Sequence, residues 1–198
     1  ATGAFSPLST FMTRNDYHRV IESMRLSNGT LFPIPITLPL SNNRSILKNK
    51  EITLRNQFNE IIAVMSVQDI YKRDFKKECQ LVYGTTDPTH PMVSEMCHWP
   101  DYCVSGPIQV INLPHYYNFF NLRQTPASLR IILETYGNNN VVAFQTRNPM
   151  HRAHEELCKR AAEKIHGTLL IHPTVGITKI DDIPYITRVQ IYNTMYQK

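Results

Sequence analysis

The stretch VVAFQTRNPMHRAHEEL, residues 141–157, constrains the fold more than any other part of the chain. An apolar run rich in β-branched residues reads as a buried strand, a polar loop follows, and a helical pattern starts near the proline. A second apolar run, TLLIHP (168–173), comes after the helix. Strand, helix and strand at this spacing form a βαβ crossover, which requires the two strands to lie parallel in one sheet. Two parallel strands do not make a stable doubly wound sheet, which normally has several strands covered on both faces. A further helix opens in DDIPYITRVQIYNTMYQK (181–198), so the expectation is an incomplete α/β domain belonging to a longer polypeptide.

Upstream the character changes. Residues 1 to about 120 are proline-rich and broken into short segments. TRNDYHRVIESM (13–24) reads as a helix, with Thr13 and Asp16 at capping-box spacing and Tyr17, Val20, Ile21 and Met24 on one stripe. SNG (27–29) ends it. TLFPIPITLPL (30–40) carries three prolines in an extended context, which suits an edge or bulged strand because proline cannot donate to a ladder. EIIAVMSV (60–67) and DYCVSGPIQVINL (101–113) are the best further strands. These short elements predict a small barrel-like α+β module. TPASLRIILETYG (125–137) reads as a helix capped by Thr125, with Pro126 at its first position and Gly137 at its end. The domain junction is expected just after it, giving domains over 1–137 and 138–198.

Composition narrows the class of ligand only slightly. With 42% hydrophobic and 19% charged residues, the chain has the balance of an ordinary globular protein. Its net charge of +5 is compatible with an anionic ligand and weaker than the footprint of a nucleic-acid binder. No apolar run is long enough to cross a membrane and no signal peptide is visible; a cytoplasmic location is expected, with an organellar one left open. Cys79, Cys97, Cys103 and Cys158 have no CxxC spacing and are expected to be reduced, with a local Cys97–Cys103 bridge left open.

The chemistry concentrates in the opening stretch. Taking Asn148 as the N-cap and Pro149 as the first helical residue, the apolar stripe is Met150, Leu157, Cys158, Ala161, Ala162 and Ile165. His154 falls within that stripe and His151 at its edge, while Arg152, Glu155 and Glu156 are left to solvent. Both histidines therefore belong near the carboxyl end of a parallel strand, beside a helix N-terminus that favours anions. The preceding loop offers Gln145, Thr146, Arg147 and Asn148, and the Arg147 fork suits a tetrahedral oxyanion. An inward histidine is more often a hydrogen-bonded core residue than a ligand, but two of them directly after an arginine-containing loop favour a binding site. HExxH is absent, so no protein-held metal is expected.

FQTRNPMHRAHEEL (144–157) resembles the QxRNPxHxxH signature of ATP sulfurylases (sulfate adenylyltransferases). GAFSPLSTFM, MRLSNGTLFPIPITL, SVQDIYK, YGTTDPTHP, VSGPIQVINLP, LRQTPASLR and IHPTVGITKIDDIPYITRV are similar to further family segments in the same order, so the resemblance spans essentially the whole chain. It implies a PUA-like barrel domain followed by the front part of a Rossmann-like nucleotidylyltransferase domain. The implied reaction is attack of a sulfate oxygen on the α-phosphorus of ATP, giving adenosine 5′-phosphosulfate and pyrophosphate, with Mg²⁺ accompanying the nucleotide rather than ligated by protein. By the same resemblance, Gln145 and Arg147 hold sulfate. Gln145, Asn148, His151 and His154 contact the nucleotide phosphates, and Thr146, Arg147 and Asn148 form the catalytic loop. Lys179 is an additional pocket candidate, and a family segment of the form GRDHAG is expected beyond Lys198. The implied partners are ATP and sulfate, with no nucleic acid or membrane and with homo-oligomerisation of the full-length protein. Another HxxH nucleotidylyltransferase explains the histidines but not the QTRNP loop; a PUA-like RNA-binding module lacks the arginine and aromatic cluster it would need.

Overall fold

The structure, a computed structural model, describes residues 2–41, 50–113, 115–137, 140–176 and 181–196. These divide into two compact units, Ala1–Arg123 and Gln124–Lys198.

The first unit begins with helix α1 (Arg14–Ser23), for which Thr13 is the N-cap, accepting a hydrogen bond from the Asp16 amide. Asp16 does not reach back to the cap amide as a full capping box would. Its carboxylate accepts from the Thr13 hydroxyl and from the Ser27 amide, tying the helix start to the turn that follows it. α1 buries Tyr17, Val20 and Ile21 in a cluster with Met12, Leu26, Phe32, Tyr71 and Cys103. Met24 instead leaves the stripe: it takes a left-handed conformation at the helix end and is exposed.

Six strands follow in two antiparallel sheets. β1 (Pro39–Leu40), β5 (Tyr102–Ser105) and β4 (Asp69–Lys72) form one, in that order; β2 (Glu51–Arg55), β3 (Ile61–Ser66) and β6 (Ile108–Val110) form the other. The proline-rich segment supplies only β1, at a sheet edge, where a missing amide costs no ladder bond. Residues 101–113, expected as one strand, are two strands in different sheets. The break is at Gly106: a Cβ there would stand 2.0 Å from the Ser66 carbonyl oxygen, so only glycine permits the approach. The neighbouring segment changes sheets at the same corner, with the Ser66 amide bonded to the Pro107 carbonyl and the Gln68 amide to the Ser105 carbonyl. Met65, Val67 and Val104 form the core beneath this corner. Among the described residues the two sheets stay separate and open.

Between β4 and β5 lie the short helices α2 (Phe75–Glu78), continued by a π-helical turn over Cys79–Tyr83, and α3 (Pro91–Met96). They bury Cys79, Val93 and Met96. All four cysteines are free thiols, which settles the open Cys97–Cys103 pairing against a bridge.

The second unit starts with α4 (Pro126–Thr135), capped by Thr125 and followed by Gly137 at φ 65°. β7 (Val141–Thr146) and β8 (Thr168–Pro173) pair in parallel, Val141 opposite Thr168 through Thr146 opposite Pro173. α5 (Arg152–Lys164) connects them and α6 (Tyr185–Tyr196) follows. Cys158 is the buried residue of α5, whereas Leu157, expected on its apolar stripe, is 60% exposed. Glu155 and Glu156 form surface i, i+4 pairs with Lys159 and Arg160. Among the described residues, no helix is long and apolar enough to cross a membrane.

Candidate active site

The carboxyl end of β7 is where the chain stops making sheet and starts exposing donors. Gln145 and Thr146 are its last two residues, and the Thr174 amide continues the β8 side by bonding to the Thr146 carbonyl at 2.7 Å. Gln145 is held across the strand ends by its side-chain amide, which donates to the Thr174 hydroxyl at 2.7 Å. Thr146 is nearly buried, and its hydroxyl closes a turn on Asn148. It accepts from the Asn148 amide at 3.0 Å and donates to the Asn148 carbonyl at 3.1 Å.

That turn overturns one expectation. α5 begins at Arg152 with His151 as its N-cap residue, not at Pro149 with Asn148 as cap. An N-cap carbonyl must accept the first intrahelical bond. The Asn148 carbonyl is already taken by the Thr146 hydroxyl and by the Tyr192 hydroxyl at 2.5 Å, so it cannot. Local side-chain bonding from threonine competes with helix nucleation here and wins. The first helical bond is instead Glu155 amide to His151 carbonyl, at 3.1 Å.

The later start still brings the two histidines together. Their rings stack with centroids 3.7 Å apart, and His154 also packs on Phe144. Nδ1 of His154 is buried and finds no hydrogen-bond partner among the described residues. His151 is the more exposed of the two. A cavity of about 610 Å³ opens between the loop and the helix start, lined by Phe144, Gln145, Thr146, Arg147, Asn148, His154 and Thr174. Five of the residues singled out from the sequence thus share one cavity, with His151 stacked at its side; Lys179 lies outside the described residues.

Arg147 supplies the fixed positive charge. Its Nε lies 3.8 Å from a carboxylate oxygen of Asp182, and its side chain is 46% exposed. The first amides of α5 have no intrahelical acceptors and the helix dipole is positive at this end, so helix, guanidinium and side-chain amides together favour an anion. Among the described residues, His, Cys, Asp and Glu form no cluster of three or more able to hold a metal ion.

Residues from α6 complete the site, and sequence reasoning missed them. Arg188 and Tyr192, one helical turn apart, donate to the carbonyls of Arg147 and Asn148 respectively. The sequence signals were a basic and an aromatic residue at i, i+4 in this helix and, for Arg188, its place in the family-like segment IHPTVGITKIDDIPYITRV. Nothing in that spacing identifies a loop more than forty residues away.

Comparison with known proteins finds two families along the chain. Residues 1–113 match the PUA-like domain family and residues 121–198 match the ATP-sulfurylase family. The chain is 42% identical to the sulfate adenylyltransferase of Coccidioides immitis over 98% of its own length and 35% of that protein. It is 43% identical to the sulfate adenylyltransferase of Saccharomyces cerevisiae over 99% of its length and 39% of that protein. It therefore spans little more than a third of these curated relatives. A solved structure described as a hexameric APS kinase from Thiobacillus denitrificans superposes with a TM-score of 0.70 at 29% identity, over 99% of this chain and 35% of that one. A PUA-like domain followed by an α/β region in which QTRN spans the end of β7 and the turn after it, with paired histidines at the start of α5, places this chain in the ATP-sulfurylase family.

Proposed function

We propose that this chain forms part of a sulfate adenylyltransferase, in which a sulfate oxygen attacks the α-phosphorus of ATP. The carrying observation is the single cavity shared by Gln145, Thr146, Arg147, Asn148 and His154. Arg147 and Gln145 bind sulfate, the guanidinium matching two oxygens at once. Gln145, Asn148, His151 and His154 contact the phosphates, and Thr146 fixes the loop. The new bond joins a sulfate oxygen to the α-phosphorus. The bond from that phosphorus to the α–β bridging oxygen breaks, and its electron pair leaves with pyrophosphate. Sulfate is a weak nucleophile, so the rate comes from alignment and from cationic groups placed where charge accumulates.

Mg²⁺ accompanies ATP as part of the substrate. The polar lining side chains are amides, hydroxyls, a guanidinium and an imidazole, a set suited to anions rather than to holding a hard cation. The chemistry is assigned to residues 138–198, including Lys179, within a Rossmann-like nucleotidylyltransferase domain. For the PUA-like region the same reading implies a barrel, with the Gly106 corner between the two open sheets as the place where it would close. The hexameric state named for the Thiobacillus denitrificans structure supports a homo-oligomer, and the reaction is assigned to the cytoplasm.

The test is pyrophosphate release from MgATP by the full-length protein as sulfate is varied. Release that saturates with sulfate and yields one adenosine 5′-phosphosulfate per pyrophosphate supports the reading. Release that ignores sulfate overturns it.

A further inference from the structure

The most unusual buried group in the second unit is Arg188. Its side chain is fully buried, yet its guanidinium makes its hydrogen bond through Nη1 to a backbone carbonyl, that of Arg147. Nε and Nη2 find no hydrogen-bond partner among the described residues. Burying a guanidinium is costly unless its charge is used. One turn along α6, the buried Tyr192 donates its hydroxyl to the next carbonyl of the same loop, at Asn148. Two consecutive loop carbonyls are thus clamped by one face of one helix.

We propose that Arg188 and Tyr192 are positioning residues which hold the 146–148 loop in its anion-binding conformation; this rests on the sulfate-site reading above. An unrestrained loop can turn its peptide carbonyls toward the cavity, where their negative ends repel an oxyanion. Arg188 and Tyr192 bind those oxygens and keep them from doing so. The Tyr192 bond also occupies the Asn148 carbonyl, which would otherwise start the helix at Pro149 and draw the loop residues into its first turn. The buried Arg188 charge adds a field behind the loop that favours an anion in front of it. Neither residue lines the cavity, so both act through Arg147 and Asn148.

The experiment compares Tyr192→Phe, Arg188→Lys and Arg188→Met in the full-length protein, reading KM for sulfate, KM for ATP, kcat and amide hydrogen exchange across 145–150. Tyr192→Phe removes one hydroxyl without changing shape. Its expected effect is a roughly 3- to 10-fold rise in KM for sulfate, a smaller change in KM for ATP, and faster exchange of the loop amides. Arg188→Met should exceed this, and Arg188→Lys, which keeps the charge and one donor, should recover part of the loss. A lower melting temperature with unchanged KM values and loop exchange in the folded protein would overturn the positioning role. Should Arg188→Met fail to fold, Tyr192→Phe and Arg188→Lys carry the test. If wild type shows no sulfate dependence, the functional reading fails, while loop exchange still decides whether the clamp exists.

Discussion

The imidazole rings of His151 and His154 stack with their centroids 3.7 Å apart and their planes 29° from parallel. This contact joins the cap residue of α5 to its first turn. One ring is thereby fixed inside the cavity and the other at its side.

The two histidines should therefore be unequal. His154→Ala removes a group that lines the cavity, and kcat for pyrophosphate release should fall about 100-fold, the usual consequence of losing one charge-stabilising donor. His151→Ala removes the stacked neighbour and should cost less. Steady-state release assays on both variants check the order; equal losses would mean that the two histidines contribute alike although only His154 lines the cavity.

The sheet corner makes a prediction about stability. Gly106→Ala puts a methyl group 2.0 Å from the Ser66 carbonyl oxygen, where the obstacle is backbone and cannot rotate away. The strands must part, which should destabilise the PUA-like unit by about 1–3 kcal/mol or more. Urea unfolding followed by tyrosine and tryptophan fluorescence would register the loss as a lower midpoint.

A buried acid predicts a pH dependence. Glu78 accepts a 2.9 Å hydrogen bond from the Tyr17 hydroxyl and lies 3.9 Å from Nε of the buried Arg73. Burial raises its pKa above the ordinary 4.5, outweighing the Tyr17 bond and the Arg73 charge, which pull it down. The folded protein therefore keeps a proton that the unfolded chain releases. This favours folding fully below about pH 4.5 and is lost as pH rises through the raised value. Glu78→Gln cannot titrate. The stability difference should therefore move in favour of the variant as pH rises above 4.5, by up to about 1.4 kcal/mol per unit. A difference that stays constant with pH would mean that Glu78 does not carry the linkage.

Much of this was legible in the sequence, and the failures have physical causes. Capping residues marked α1 and α4 because Thr13 and Thr125 satisfy amides within three positions of themselves. β8 was read from its apolar run for the same local reason. The start of α5 was misplaced because a distant residue, Tyr192, competes for the Asn148 carbonyl. The break at Gly106 depends on the approach of Ser66, forty residues away in the chain. β2 was missed although Ile52 and Leu54 alternate with exposed Glu51, Thr53 and Arg55, a period-2 signal in a run with charged ends. In the site, spacing foreshadowed that His151 and His154 lie on one side of the helix start, but not the Thr146 turn on Asn148 that delays it. The α6 clamp was not foreshadowed either, because it exists only in three dimensions.

The central claim is that Arg147, on this loop, is what makes the reaction depend on sulfate. The most direct measurement is the sulfate saturation curve for pyrophosphate release from MgATP, recorded for the full-length wild type and for Arg147→Ala. A saturable, sulfate-dependent rate is expected in the wild type. In the variant kcat/KM for sulfate should fall by about 100-fold or more, as when a charge-assisted fork is removed from a transition state. A variant with the wild-type curve, or a wild type that releases pyrophosphate equally fast without sulfate, would contradict it.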